Sequence, residues 1–134
     1  MAYTAYRVVA DKIHETLLTL GYRCIHRSED AGNYLRGHQR VDFLFAHRPI
    51  ARRMLAEARE LTTVFGLMRV VSTEGLIGLK LQGFINNPRR TQDLEDIRAL
   101  LRANRRELRL DDVREYFKIF DREALLEDLL NETE

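Results

Sequence analysis

A single cysteine, Cys24, stands in the 134 residues. No disulfide can close within the chain, and a lone thiol on a predicted strand reads as a small buried hydrophobe in a reducing cytoplasm. Long apolar runs are missing as well. Nothing approaches the length needed to span a bilayer, and MAYTAYRVVADK has no basic segment followed by an apolar stretch, so the expected location is cytoplasmic, without membrane contact. Charge of one sign is also lacking. With a formal net charge of +1, no global field draws the chain to nucleic acid, and only local patches such as Arg102, Arg105 and Arg106 remain as contacts. The familiar site signatures GxSxG, GxGxxG, the Walker loop, HExxH and CxxC are absent. His14, His26, His38 and His47 are scattered over helix, strand and loop, although His26 and His38 are placed to face each other across a first hairpin.

What is present is enough to fold. Apolar residues make up 45% and charged residues 32%, far from the composition of disordered chains, and a domain of this length hides roughly two thirds of its unfolded surface. One domain is expected, with an α/β part over 1–71 and a helical part over 72–134.

Periodicity sets the elements. Thr4 can cap a helix in which Val9, Ile13, Leu17 and Leu20 share a face and which Gly21 ends. YRCIHR at 22–27 reads as a strand. The turn-rich SEDAGN and a second run from Tyr34 to Ala46, interrupted at Gly37, follow it. Alternation in RVDFLF puts Val41, Phe43 and Phe45 on one face and Asp42 with Leu44 on the other. Pro49 suits a first helical turn, with Ile50, Met54, Leu55 and Ala58 continuing to about Glu60. Residues 61–65 and 67–71, divided by Gly66, form a short hairpin. Ser72 or Thr73 caps the next helix, with Glu74 beside its positive end, and Asn86, Asn87 and Pro88 close it. Arg90 to about Ala103 is helical through Leu94, Ile97, Leu100 and Leu101. Two shorter amphipathic helices follow, near 111–120 and 122–130, before a tail, NETE, that should fray. A small mixed or antiparallel sheet against helices, ending in a helical cluster, is an α+β fold.

Two residues stand out chemically. Lys80 lies mid-helix in LIGLKLQGF, among Leu76, Ile77, Leu79, Leu81 and Phe84. Its stem can snorkel to solvent, its ammonium can bind an anion such as phosphate, or it can pair with an acid. Asp93, Asp96 and the Arg89-Arg90 pair open the next helix after a short NNP connection, within reach of the first helix's end. Asp42, between Val41 and Phe43, is costly to bury unless hydrogen-bonded, paired or bound to metal; a solvent-facing strand edge is the simple alternative. Magnesium wants several oxygen ligands, so one aspartate makes no convincing site.

In their order, the segments LGYR, RVDFLF, VFGLMRVV, VSTEGLIGLKLQGF and NPRRTQDLEDIRALL resemble the later two thirds of minimal nucleotidyltransferases. These belong to the polymerase-β-like superfamily, in the group that includes the abortive-infection type toxins. The resemblance covers most of residues 11–118. It implies that Lys80 contacts nucleotide phosphates, that Arg89 joins it, and that Asp93 supports Lys80 or the nucleotide. The resemblance also implies that Asp42 takes the place of the third metal-binding carboxylate, with Mg2+ as the cofactor. The family's Gly-Ser turn and D-x-D strand, which hold the ions for in-line attack on the α-phosphate, have no counterpart here. SED at 28–30 and LED at 94–96 lie in a predicted turn and on a helix. The expectation is therefore a noncatalytic or incomplete nucleotidyltransferase-like protein retaining a nucleotide-phosphate cleft. The alternatives are one part of a split enzyme, or an interaction module of a toxin-antitoxin-like pair whose Arg-rich helix near 102–109 meets an acidic partner. Loss of strands exposes a sheet edge, which favours a homodimer or a partner protein.

Overall fold

A computed structural model describes the backbone of residues 2–132 and the side chains of residues 7–132. The first helix begins at Ala2, so Thr4 lies within it and not ahead of it as a cap; fraying at 133–134 lies outside the described residues. The elements run α1 (Ala2–Thr19), β1 (Arg23–Arg27), β2 (Ala31–Arg36), β3 (Gln39–Leu44), α2 (Pro49–Ala56), β4 (Arg59–Thr63), β5 (Gly66–Val70), α3 (Thr73–Asn86), α4 (Thr91–Asn104), α5 (Leu110–Ile119) and α6 (Glu123–Glu132). The fold is α+β, with two antiparallel sheets in the orders β1-β2-β3 and β4-β5. No described helix is long and apolar enough to cross a membrane. The chain divides into two compact units, Met1–Pro49 and Ile50–Glu134.

In the first unit, α1 buries Ala10 and Leu17, while Val9 and Leu20 are exposed; the inward stripe is rotated by about one position from the expected one. Gly21 ends the helix in the left-handed region, at φ 86°, where a side chain would be strained. Ala31, Gly32 and Asn33 belong to β2 and not to the preceding turn. The chain then reverses between the paired residues Arg36 and Gln39, with Gly37 at φ 60°. The interruption expected at Gly37, within the run from Tyr34 to Ala46, is thus a reversal between two strands, because glycine supplies a backbone conformation no neighbour adopts cheaply. His26 consequently pairs across from Asn33, and His38 sits in the β2-β3 turn, so the expected His26-His38 encounter does not occur. Tyr34 is the buried centre of this sheet. Its ring lies across Gly32, where a Cβ would come within 2.9 Å of it, Phe43 meets it edge-on, and its hydroxyl is 2.9 Å from His14 Nδ1.

In the second unit, α2 stops at Ala56, four residues short of expectation, because Arg59 and Glu60 are drawn into β4 opposite Val70 and Arg69. Gly66 turns the hairpin at φ 98°. Ser72 caps α3 as expected: its hydroxyl accepts from the Gly75 N–H at 3.1 Å. The core is built from Ile77 and Leu81 of α3, Ile97 and Leu101 of α4, Val113 and Phe117 of α5, and Leu126, Leu129 and Leu130 of α6. Glu74 is buried at the start of α3, yet it does more than face its own helix dipole. Its carboxylate accepts from the Arg109 N–H at 2.8 Å, at the residue that caps α5, and so ties two helix starts together. Burial opposes its ionisation, but the hydrogen bonds from the Arg109 and Glu74 N–H groups prevail and hold it below the ordinary carboxylate range.

Tyr116 locks α5 to α2. The buried phenol donates to Glu57 Oε2 at 3.0 Å, Arg53 pairs with Glu57 Oε1 at 3.0 Å, and the Arg53 guanidinium lies 5.0 Å from the Tyr116 ring centre. Burial first, and the bond to Glu57 second, raise the Tyr116 pKa from 10.0 to about 12. A tyrosine whose pKa is raised on folding contributes stability that is complete below pH 10 and fades as pH climbs toward 12. About 3 kcal/mol should disappear over that window in the native chain and not in Tyr116→Phe. Denaturant titrations at three alkaline pH values, with ultraviolet titration of the phenolates, check this; equal alkaline slopes in the two proteins would contradict it.

Candidate functional site

Lys80 lies in the second half of α3, and Asp93 and Asp96 lie in the first half of α4. The NNP connection folds α4 back along α3: Asn87 N–H bonds to Gly83 O at 3.0 Å, and Arg90 N–H to Asn87 O at 3.0 Å. That reversal, with i and i+3 on one helical face, points both acids at the same lysine. Lys80 Nζ is 2.9 Å from Asp96 Oδ2 and 3.6 Å from Asp93 Oδ1. Of the alternatives for Lys80, the acid pair is thus formed in the free chain, and the acid in closest contact is Asp96, which sequence reasoning placed second. Its spacing from Asp93 was the available signal.

The two acids differ in setting. Asp93 is buried and Asp96 is half-exposed. Lys80 first, then Gln92 Nε2 at 2.8 Å, keep Asp96 below the usual carboxylate pKa. Asp93 is wedged against Gly83, where a Cβ would come within 2.7 Å of Asp93 Oδ2, so any residue larger than glycine would push the carboxylate out. That oxygen is buried and accepts no hydrogen bond; Arg90 Nε stands 3.6 Å away, beyond hydrogen-bond length. Asp93 therefore fixes the lysine from within, while Asp96 holds it from the water side. Arg90 carries no side-chain cap bond to α4, and Arg89 is exposed in the connection before it. The α4 start thus brings Lys80 and Arg90 to Asp93 and Lys80 to Asp96, beside the positive end of a helix dipole, with Arg89 preceding it in the chain.

Asp42 belongs to the other unit. It lies on β3, an edge strand and not a central one, and it is exposed. Asn33 Nδ2 donates to its Oδ1 at 2.7 Å, and Arg40 Nε reaches both oxygens at 3.1 and 3.0 Å. Those donors, Asn33 first, lower its pKa. Three of its roughly four acceptor positions are taken by Asn33 and Arg40, and among the described residues it joins no group of three possible ligands, so Asp42 by itself does not fit a Mg2+ site, and no step is routed through a metal. Cys24 is half-buried on β1, less enclosed than a core residue.

Sequence reasoning missed a second charged cluster. Asp30 pairs with His47 and, at 3.1 Å, with Arg48; Arg48 first, then His47, lower its pKa. A cleft of about 360 Å3 nearby is lined by Arg7, Ala10, Asp11, Arg27, Ser28 and Glu29, with Arg27 and Asp11 ion-paired. None of the expected site residues lines it. No protein-family model matches the chain, and no curated protein matches it in sequence.

Proposed function

We propose that this chain is a nucleotidyltransferase-like protein that binds the phosphate of a nucleotide at Lys80 and carries out no nucleotidyl transfer with its own residues. The observation that carries the reading is the seating of Lys80: the one cation of a largely apolar helix, partly open to solvent, steered by a buried aspartate toward the start of α4. Binding is an exchange. A phosphate oxygen takes the place of Asp96 at Nζ, Asp96 keeps its bond from Gln92, and Asp93 continues to hold the lysine from inside. Arg89 and Arg90 add cationic partners, and the α4 N-terminus adds its partial positive charge. Because two carboxylates already offset the lysine, affinity is modest and falls with salt. Transfer is not proposed because Asp42 supplies one carboxylate where the resemblance calls for three, and its oxygens are engaged by Asn33 and Arg40.

Calorimetric titration with ATP, CTP, GTP and UTP in magnesium should give heat for at least one nucleotide. Arg89→Ala, at an exposed position that leaves folding intact, should weaken it severalfold, and Lys80→Met should remove it. Absence of heat with all four nucleotides would defeat the proposal. Labelled nucleotide should not be transferred to RNA or protein acceptors.

A further inference from the structure

The β4-β5 hairpin is exposed along almost its whole length: of the strand residues only Thr63 is partly covered. A two-stranded hairpin with no cover is marginal in water, and this one exposes Leu61, Leu67, Met68 and Val70. Register puts Arg59 opposite Val70, Leu61 opposite Met68 and Thr63 opposite Gly66 on one face, and Glu60 opposite Arg69 and Thr62 opposite Leu67 on the other. The second face is engaged at its base, where the Arg69 guanidinium donates to the Leu55, Ala56 and Ala58 carbonyls at 3.2, 3.5 and 3.4 Å and caps the end of α2. The first face, with Leu61, Met68 and Val70, is open.

The tip strengthens the case. Hairpin turns favour Gly, Asn and Asp, yet here the turn residues are Val64 and Phe65, 94% and 86% exposed. The turn does not need them. Thr63 Oγ1 accepts from Phe65 N–H at 3.1 Å and donates to Gly66 O at 2.8 Å, which wires the loop without either side chain. Two large apolar groups are thus held in water at the end of a braced arm.

We propose that this open face is a self-association surface, and that two copies stack their hairpins face to face about a twofold axis. Leu61 and Met68 then meet their own counterparts at the centre, and each Phe65 reaches the Val70-Val71 end of the other hairpin, about 17 Å from its own. The apolar residues of this face and of the tip, Leu61, Val64, Phe65, Met68 and Val70, expose on the order of 550 Å2, near the ~600 Å2 that each partner contributes at the lower end of stable interfaces. The strand pairs on the open face carry one charge, Arg59, at the end. The face thus offers no charge code for a foreign partner, and a chain of net charge +1 does not repel its copy. This surface is independent of nucleotide binding at Lys80.

Sedimentation velocity from ~1 to ~200 µM should show a concentration-dependent dimer of the native chain. Phe65→Asp, at an exposed position that leaves the circular dichroism unchanged, should raise the dimer dissociation constant at least thirtyfold, as loss of a large aromatic anchor does. Leu61→Asp and Leu61→Lys should each be monomeric alone and should associate when mixed. A native chain that stays monomeric throughout the range would overturn the proposal and leave the face to a different partner. A dimer that Phe65→Asp does not weaken, or mixed Leu61 variants that remain monomeric, would place any dimer elsewhere and overturn it too.

Discussion

Gly78→Ala destabilises the chain by a net of about 1 kcal/mol, although alanine is the better helix former by roughly the same amount. The sign is set by packing. A Cβ on Gly78 would lie 2.5 Å from Tyr116 Cδ1 and 2.7 Å from its Cγ. The ring cannot retreat, since its hydroxyl is bonded to Glu57 and Arg53 stacks above it. Overpacking of this kind costs about 1–3 kcal/mol, enough to outweigh the helical gain. The Gly78→Ala penalty should shrink or reverse in a Tyr116→Leu background, where the ring is gone. Urea midpoints for the four proteins of this cycle measure the coupling, and a stabilising Gly78→Ala in the native background would contradict close α3-α5 contact at this point.

Lys80→Met removes about 2 kcal/mol, nearly all through what it leaves behind. Methionine fills the space of the lysine stem, but Asp93 then remains buried with only Arg90, 3.6 Å away and itself exposed, to offset its charge. Breaking a fully buried pair costs about 3–5 kcal/mol, and the partial exposure of Lys80 reduces this. Adding Asp93→Asn should recover at least half of the loss. Independent, additive losses from the two substitutions would mean that Lys80 and Asp93 do not depend on each other.

Local chemistry was readable in the sequence wherever one residue type has one cheap conformation. Gly21 and Gly66 at positive φ, Pro49 at a helix start and Ser72 as a cap mark element boundaries that the structure keeps. Alternation correctly separated Val41 and Phe43 from Asp42 and Leu44, the former half-buried and the latter exposed. Less legible were features decided by partners distant in the chain. Arg59 and Glu60 continue a helical pattern until β5 pairs with them. Glu74 was read against its own helix, but its acceptor oxygen belongs to an N–H 35 residues away. The Tyr116-Glu57 bond spans 59 residues, and nothing in either local sequence announces it. The candidate site was half visible: the placement of Lys80 near the acidic start of α4 follows from a short connection, whereas the order of Asp96 before Asp93 depends on helix phase. Asp42 shows the limit of strand patterning, which does not distinguish an edge strand from a central one.

The central claim is that the Lys80 ammonium is seated by Asp93 and Asp96 and is the group that meets a nucleotide's phosphate. Only three lysines occur in the chain, so their side-chain ammonium signals can be assigned by substitution and followed directly by nuclear magnetic resonance. The account predicts that one signal, lost in Lys80→Met, exchanges slowly with water, shifts in Asp96→Asn, and moves saturably as magnesium nucleotide is added. A Lys80 signal that exchanges as a free lysine does, and stays in place through the whole titration, would contradict it.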